Sequence, residues 1–220
     1  MPGPAEGEAG RWADLRRRVV SAAVLAPLAI LCLWAGGWAW MGLVGVATLG
    51  LLDEWRRMAR GVAAGAAGGG WIVLAALALV WLRADPVAGR ANVLMVLVAV
   101  WASDIGAYLA GRLIGGARLA PRISPGKTWS GAAGGLLAAA AAGAAIGRGH
   151  GALAGALLSV LAQAGDLAES AAKRRAGVKD SGALIPGHGG LLDRLDGLLA
   201  AAPAAALLAH SAGPGGVLWR

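Results

Sequence analysis

The stretch AGRANVLMVLVAVWASDIGAYLA, residues 88–110, decides the fold class of this 220-residue chain. It is long enough to cross a bilayer as a helix, which takes about 20 mostly apolar residues. Similar stretches predict spanning helices at residues 19–35, 38–54, 64–82, 88–110, 129–147, 151–168 and 191–209. We therefore expect an all-α fold, a polytopic integral membrane bundle of about seven transmembrane helices. A single re-entrant hairpin over 129–168 is the alternative for the fifth and sixth spans.

The composition favours the same fold class. Hydrophobic residues make up 58% of the chain and charged residues 15%, and the mean hydropathy is +0.64. In a soluble domain about a quarter of the residues are charged, so this composition excludes an ordinary soluble enzyme and a disordered protein. The single cysteine, Cys32, excludes a disulfide framework and a cysteine-based metal site. The net charge of +8 comes from basic residues at the ends of apolar runs, which indicates a lipid bilayer as partner and no nucleic acid.

The basic residues also predict the orientation of the bundle, because Lys and Arg concentrate in short cytoplasmic loops. With seven spans, four basic clusters fall on one side, at residues 11–18, 56–60, 112–127 and 173–179. We expect a multi-pass protein of the cell inner membrane whose active site faces the cytoplasm. The predicted organisation is a basic cytoplasmic segment, N-terminal membrane helices, a catalytic membrane region and a C-terminal tail, at residues 1–18, 19–98, 99–210 and 211–220.

Carboxylates in the second half of the chain lie within or beside the predicted spans. Ionisable groups at membrane depth are costly and indicate function. A helical polar stripe with i, i+3, i+4, i+7 spacing consists of Asp166, Glu169, Ser170 and Lys173. Asp193 and Asp196 share a face of the next helix, so two helices can direct carboxylates at one point. Such carboxylates hold Mg²⁺ beside a substrate phosphate. The alternative is a helix hairpin with solvated charges.

Two upstream stretches add polar side chains to this region. Asp104, Tyr108 and Arg112 are spaced i, i+4, i+8 on one helix face, although an interfacial tyrosine and a positive-inside arginine would explain the last two. In Ser124-Pro-Gly-Lys-Thr128 the proline and glycine break the helix, which predicts Lys127 and Thr128 at a helix N-terminus, a favourable anion site. The glycine spacing excludes a P-loop.

The segment from Ser170 to Asp196 resembles the signature of the phosphatidate cytidylyltransferases, also called CDP-diacylglycerol synthases. It reads Ser170-x-x-Lys173-Arg174-x-x-x-x-Lys179-Asp180-x-Gly182-x-x-Ile185-Pro186-x-His188-Gly189-Gly190-x-x-Asp193-Arg194-x-Asp196. The stretches 104–112 and 124–129 are also similar to that family. Gly126 and Ser130 depart from it, because members commonly have Lys and Glu at these two positions.

The resemblance implies that CTP and phosphatidate react to CDP-diacylglycerol and pyrophosphate with Mg²⁺ as cofactor, and that a monovalent cation such as K⁺ is a second ion. Metal ligands are expected at Asp166, Glu169, Asp193 and Asp196. Asp166, Asp193 and Asp196 also belong to the expected catalytic set, with Lys173, Lys179 and Arg194. Substrate contacts are expected at Asp104, Tyr108, Ser124, Lys127, Thr128, Ser170, Arg174, Asp180, His188, Gly189 and Gly190. His188 lies between glycines, and the sequence leaves open whether it is a ligand, an acid or base, or a loop residue.

Other functions compete with this one. Asp193-x-x-Asp196-Gly197-x-x-Ala200 partly matches the motif of CDP-alcohol phosphatidyltransferases, but Ala201 stands where that motif needs an arginine. A small membrane transporter is the non-enzymatic alternative, although no paired broken helices or internal repeat are visible in the sequence. Gly126 and Ser130 leave open a catalytically inactive family member. Whether the chain forms a homodimer also stays open.

Overall fold

The structure is a computed structural model that describes residues 20–21, 23–184 and 189–219. These residues form six helices and one short β-hairpin. The elements are α1 (Ala23–Ala35), α2 (Gly37–Met58), α3 (Val62–Ala84), α4 (Gly89–Leu113), β1 (Arg118–Ala120), β2 (Ser124–Thr128), α5 (Trp129–Ala176) and α6 (Leu192–Ser211). The expected helical membrane protein is confirmed.

The β1–β2 hairpin corrects the all-α prediction. The two strands are antiparallel, with Arg118 opposite Thr128 and Ala120 opposite Ser124. Pro121 and Pro125 lie in this segment, and proline interrupts a helix because it lacks an N–H donor and its ring clashes with the preceding turn. The hairpin leads directly into α5 and brings Lys127 to the start of that helix.

The number of spans is supported only in part. Among the described residues, three helices are long and apolar enough to cross a membrane, namely α3, α4 and α5. The described parts of all seven predicted spans are helical apart from the first residues of two of them, Ala88 and Leu191. Two of these spans, 129–147 and 151–168, lie within α5. The count of seven transmembrane helices stays a prediction.

Helix α5 reverses direction within its length. Gly147 and Arg148 have non-helical backbone angles, and Arg148 has a positive φ of 54°. The first limb, 129–146, and the second limb, 149–176, pack so closely that a Cβ on Gly143 would lie 2.8 Å from the carbonyl carbon of Gly151. At 1.5 Å per residue the first limb rises about 27 Å, close to the roughly 30 Å of a hydrocarbon core. This length favours two crossings over a re-entrant hairpin.

The charged ends of the helices lie together at one end of the bundle. Arg60, just after α2, donates a 2.8 Å hydrogen bond to the carbonyl of Ala176 at the end of α5. The guanidinium of Arg174 donates to the carbonyl of Ile123 in the hairpin. The basic clusters 56–60, 112–127 and 173–179 therefore share one end, while the cluster 11–18 lies outside the described residues. Which side of a membrane this end faces stays a prediction.

The opposite end is closed by the C-terminal tail. The Asn92 side chain donates to the carbonyl of Gly216 and accepts from the backbone N–H of Leu218, each at 3.0 Å. Asp85 accepts from the N–H of Gly215 at 2.8 Å and also from two N–H groups in its own loop. These backbone donors hold the pKa of Asp85 below its ordinary value, and the N–H of Ala88 has the largest effect. The tail is thus part of the packed structure.

Small residues bring α4 and the first limb of α5 into backbone contact, and we expect them to be essential for packing. A Cβ on Gly106 would lie 2.6 Å from the carbonyl oxygen of Gly134. Gly106→Leu should therefore lower the free energy of unfolding by about 1–3 kcal/mol through overpacking. Thermal unfolding in detergent measures this, with Gly45→Leu as the matched control because a Cβ at that position would meet nothing within 4 Å besides the adjacent backbone of its own helix. Equal midpoints for the two variants would contradict the close packing.

Candidate active site

Three carboxylates meet at the charged end of the bundle. Asp166 and Glu169 extend from the second limb of α5 and Asp196 extends from α6, and one ligand oxygen of each lies within 4.8 Å of the others. The two helices approach closely because Gly165 is small: a Cβ there would lie 2.8 Å from the carbonyl oxygen of Asp196. Three like charges at this distance repel one another. We call Asp166, Glu169 and Asp196 the carboxylate cluster.

The carboxylate cluster fits a hard divalent cation. Glu169 is buried, and its Oε1 has no hydrogen-bond partner among the described residues. Buried polar atoms are nearly always paired. This unpaired oxygen lies beside two further carboxylates, so it is suited to be a ligand of a metal ion. The donor set is made of carboxylate oxygens alone, which Mg²⁺ prefers.

Asp193 lies beside the carboxylate cluster and has its own set of partners. Its Oδ1 contacts Lys173 Nζ at 2.5 Å, and the same ammonium lies 2.7 Å from Glu169 Oε2. Its Oδ2 accepts from the N–H and hydroxyl of Ser181, both at 3.0 Å, and from the N–H of Gly190 at 3.2 Å. The structure thus brings together three of the four acids expected at the metal. Asp193 is connected to them through the ammonium of Lys173, which contacts both Glu169 and Asp193. A direct bond from Asp193 to metal stays a prediction.

Gly190 is needed for the close approach of this loop to Asp193. A Cβ at Gly190 would lie 2.9 Å from Asp193 Oδ2 and 2.8 Å from the backbone nitrogen of Gly182. Gly189 has a φ of +83°, a conformation that favours glycine. The two glycines therefore shape the loop around Asp193, while their expected substrate contacts stay predictions.

A polar cavity of about 450 Å³ opens on one side of the carboxylate cluster. Its charged and polar lining residues are Asp104, Tyr108, Arg112, Lys127, Thr128, Gln163 and Asp166. Lys127 forms an ion pair with Asp166, and Arg112 donates a 3.2 Å hydrogen bond to the hydroxyl of Tyr108. Residues from both upstream stretches therefore meet the cluster in one cavity.

Thr128 is the N-cap residue of α5 and so lies at a helix N-terminus as predicted, and its side chain accepts a 3.0 Å hydrogen bond from the N–H of Gly131. The hydroxyl of Ser130 donates to the carbonyl of Gly115 and lies 3.0 Å from that of Thr128. Ser130 is one of the two departures from the family pattern, and here it joins the hairpin to the end of α4. Its role in this structure is to hold the loop.

An apolar cavity of about 660 Å³ opens on the other side of the carboxylate cluster. Its large apolar lining residues are Trp55, Met58, Trp71, Ile72, Leu161, Leu192 and Leu199. Glu169 and Asp196 lie in its wall, and two basic residues, Arg60 and Arg175, also line it. The carboxylate cluster therefore separates a polar cavity from an apolar one.

The remaining expected site residues lie at different distances from the carboxylate cluster, and one lies outside the described residues. Ser170 contacts the cluster, since its hydroxyl donates to Asp166 Oδ1 at 3.4 Å. Arg174 bonds the carbonyls of Ile123 and Val178. Ser124 belongs to β2. Exposed positions are occupied by Lys179, Asp180 and Arg194. The expected contact at His188 lies outside the described residues.

Sequence analysis missed several residues around the site, among them Gln163 and Glu54. Gln163 lines the polar cavity, where its amide donates to the carbonyl of Ala132 at 3.2 Å and to the hydroxyl of Ser159 at 3.0 Å. Glu54 is buried against the loop that holds Asp193. The sequence does contain a signal for both residues: each is an amide or carboxylate inside or at the end of an apolar run. Burial of such a group is costly unless it is paired.

The chain is similar to known proteins across this region. A family model described as "Cytidylyltransferase family" matches residues 63–212, which include the carboxylate cluster. The phosphatidate cytidylyltransferase of Brucella suis biovar 1 is 45% identical over 191 residues, covering 76% of this chain and 70% of the relative. The protein of that name from Pseudomonas aeruginosa is 44% identical over 183 residues, covering 74% and 60%. The one from Haemophilus influenzae is 48% identical over 131 residues, covering 54% and 46%.

Proposed function

The chain belongs to the cytidylyltransferase family, and we propose that it joins CTP to phosphatidate, forming CDP-diacylglycerol and pyrophosphate. It is a nucleotidyltransferase enzyme, and its relatives carry the name of this phospholipid-forming reaction. One observation carries the proposal: the carboxylate cluster lies between a polar cavity and an apolar cavity. The reaction needs this arrangement because one substrate is a water-soluble triphosphate and the other is a lipid.

The polar cavity is the proposed site of CTP. Lys127 and Arg112 line it, and cations of these two kinds bind phosphate oxygens. The apolar cavity is the proposed site of phosphatidate, whose acyl chains would lie against its tryptophan and aliphatic side chains. Arg60 and Arg175 in the same cavity would bind the lipid phosphate.

The carboxylate cluster would hold Mg²⁺, with Asp166 facing the polar cavity and Glu169 and Asp196 facing the apolar one. A bound divalent cation supplies charge neutralisation at the reacting phosphates. The monovalent second ion, such as K⁺, that the resemblance implies stays a prediction.

The chemistry is the attack of a lipid phosphate oxygen on the α-phosphorus of CTP. The new oxygen–phosphorus bond forms as the bond to the β-phosphate oxygen breaks, and pyrophosphate leaves with that electron pair. A phosphate monoester is largely dianionic near neutral pH, so no strong general base is needed. The protein's main contribution is to hold two anions in line, which supplies proximity and electrostatic stabilisation. Lys127 would bind a triphosphate oxygen, and Lys173 joins the second limb of α5 to Asp193 on α6.

The proposed location is the cell inner membrane, with the carboxylate cluster at the cytoplasmic face. CTP would enter from the cytosol, and phosphatidate would enter laterally from the inner leaflet. This orientation agrees with the common end of the described basic clusters and with the positive-inside rule.

Detergent-purified protein is expected to transfer label from CTP to a lipid when phosphatidate and Mg²⁺ are present. EDTA should abolish the product, and excess Mg²⁺ should restore it, because the carboxylate cluster is unsuited to bind phosphate without a cation. Extraction into organic solvent and chromatography against CDP-diacylglycerol measure this. A folded protein without product, beside an active Brucella suis relative, would contradict the proposal. Formation of a phosphatidyl alcohol from CDP-diacylglycerol would instead favour the phosphatidyltransferase alternative.

A further inference from the structure

Glu54 is a buried carboxylate on α2 to which the reaction described above assigns no role. Only 4% of the residue is exposed. Its Oε1 accepts a 3.0 Å hydrogen bond from the N–H of Leu191, and its Oε2 accepts a 2.9 Å bond from the N–H of Leu192. The hydroxyl of Ser181 lies 3.2 Å from the same Oε2. Both carboxylate oxygens are therefore occupied by groups more than 100 residues away in the chain.

These contacts complete the start of α6. The first N–H groups of a helix have no intrahelical acceptors, and Leu191, the N-cap residue, has no side-chain oxygen to supply one. Glu54 provides the missing acceptors from another helix, with its negative charge at the positive end of the helix dipole. The end of α2 thus determines where α6 begins.

The start of α6 is also where the site is built. Asp193 and Asp196 lie in the first two turns of α6, which begins at Leu192. The Ser181 hydroxyl lies within hydrogen-bond distance of both Glu54 and Asp193, at 3.2 Å and 3.0 Å. A shift or rotation of this first turn would move Asp196 away from Asp166 and Glu169, and would strain the ion pair of Asp193 with Lys173.

We propose that Glu54 is a positioning residue for the divalent-cation site: it fixes the first turn of α6 and so holds Asp196 in the carboxylate cluster. In its consequence for catalysis this inference rests on the proposed function, whereas its consequence for cation binding does not. Removing a group that orients a metal ligand without binding the metal itself typically lowers metal affinity or activity by about 10–100-fold.

The deciding measurement is Mn²⁺ binding by the detergent-purified protein, followed by electron paramagnetic resonance. Glu54→Gln places an NH₂ group against one of the two helix N–H donors, so we expect the Mn²⁺ affinity to fall about 10–100-fold. The Mg²⁺ concentration for half-maximal CDP-diacylglycerol formation should rise by the same factor, with an unchanged KM for CTP at saturating Mg²⁺. Glu54→Asp keeps both acceptor oxygens and should recover part of the affinity.

Asp53→Asn is the matched control, because Asp53 is the neighbouring carboxylate on α2 and pairs only with Arg56 and Arg57 among the described ion pairs. It should bind Mn²⁺ like the parent protein. A merely structural role of Glu54 would lower the unfolding temperature without changing the Mn²⁺ affinity of the folded variant, and that result would overturn the proposal.

The remaining outcomes separate this inference from the proposed function. A parent protein that binds Mn²⁺ but makes no lipid product contradicts the function, while the Glu54→Gln comparison still decides the positioning role. A parent protein that binds no Mn²⁺ overturns the positioning role, because there is then no cation site to support. If Glu54→Gln does not fold, Ser181→Ala removes only the hydroxyl between Glu54 and Asp193. Its Mn²⁺ affinity should also fall, and parent-like affinity would overturn the proposal.

Discussion

Asp196→Asn is expected to reduce CDP-diacylglycerol formation by at least about a hundredfold while the protein stays folded. The substitution removes one of the three carboxyl groups of the carboxylate cluster, and a neutral amide oxygen is a weaker ligand than a carboxylate for a hard divalent cation. A loss of this size follows because the cation supplies several kcal/mol of charge stabilisation in phosphoryl chemistry. Stability should not fall with the activity, since replacing one of three closely spaced carboxyl groups by an amide does not add repulsion when no cation is bound.

The two effects are separated by measuring rate and unfolding on the same preparations. In EDTA the thermal midpoint of Asp196→Asn should equal or exceed that of the parent protein. Mg²⁺ should raise the midpoint of the parent and leave that of the variant nearly unchanged, because a ligand stabilises only the state that binds it. Asp53→Asn removes a half-exposed carboxylate on α2 and serves as control for the loss of one charge. A variant with the parent rate would remove Asp196 from the cation site.

Lys173→Met is expected to give the largest loss of stability, about 3–5 kcal/mol in the free energy of unfolding. The Lys173 side chain is only 12% exposed and contacts two carboxylates that are 6% and 13% exposed. Removing one partner of a buried ion pair leaves the remaining charge uncompensated, which costs about that much. Here two carboxylates, Glu169 and Asp193, lose the same ammonium. Denaturant or thermal unfolding in detergent measures the effect.

Arg56→Met is the matched control for this loss. Arg56 also pairs with a carboxylate, Asp53, but its side chain is 81% exposed, and exposed ion pairs contribute about 0–1 kcal/mol. Adding Glu169→Gln and Asp193→Asn to Lys173→Met should recover stability without recovering activity, because the buried charges are gone but so is part of the site. Unfolding of Lys173→Met at the parent midpoint would show that the ammonium does not stabilise this part of the bundle.

Much of the fold was predictable because the deciding signals are local. A run of about 20 apolar residues is visible without knowledge of its neighbours, and i, i+3, i+4 spacing places Asp166 and Glu169 on one helix face. The β1–β2 hairpin was missed because proline and glycine show where a helix stops, but not which strands then pair. The signature around Asp193 indicated the chemistry through resemblance, which physical spacing alone would have left open.

The unpredicted part of the site depends on contacts between distant segments. Successive helix positions differ by about 100°, so residues at i and i+3 such as Asp193 and Asp196 point about 60° apart. Only the packing of α6 against α5 decides that Asp196 joins the carboxylate cluster while Asp193 meets Lys173. Glu54 was missed for the same reason, since its partners lie at the other end of the chain and no local pattern connects them.

The reversal at Gly147 and Arg148 has a consequence for how the length of this chain can vary. Only these two residues leave the helical conformation within α5, and the limbs touch immediately beside them at Gly143 and Gly151. Each residue inserted into the helix after the reversal would turn everything that follows by about 100° and shift it by about 1.5 Å. Asp166 and Glu169 would then face a different neighbour. An insertion or deletion between the reversal and Asp166 would therefore remove these two carboxylates from the carboxylate cluster.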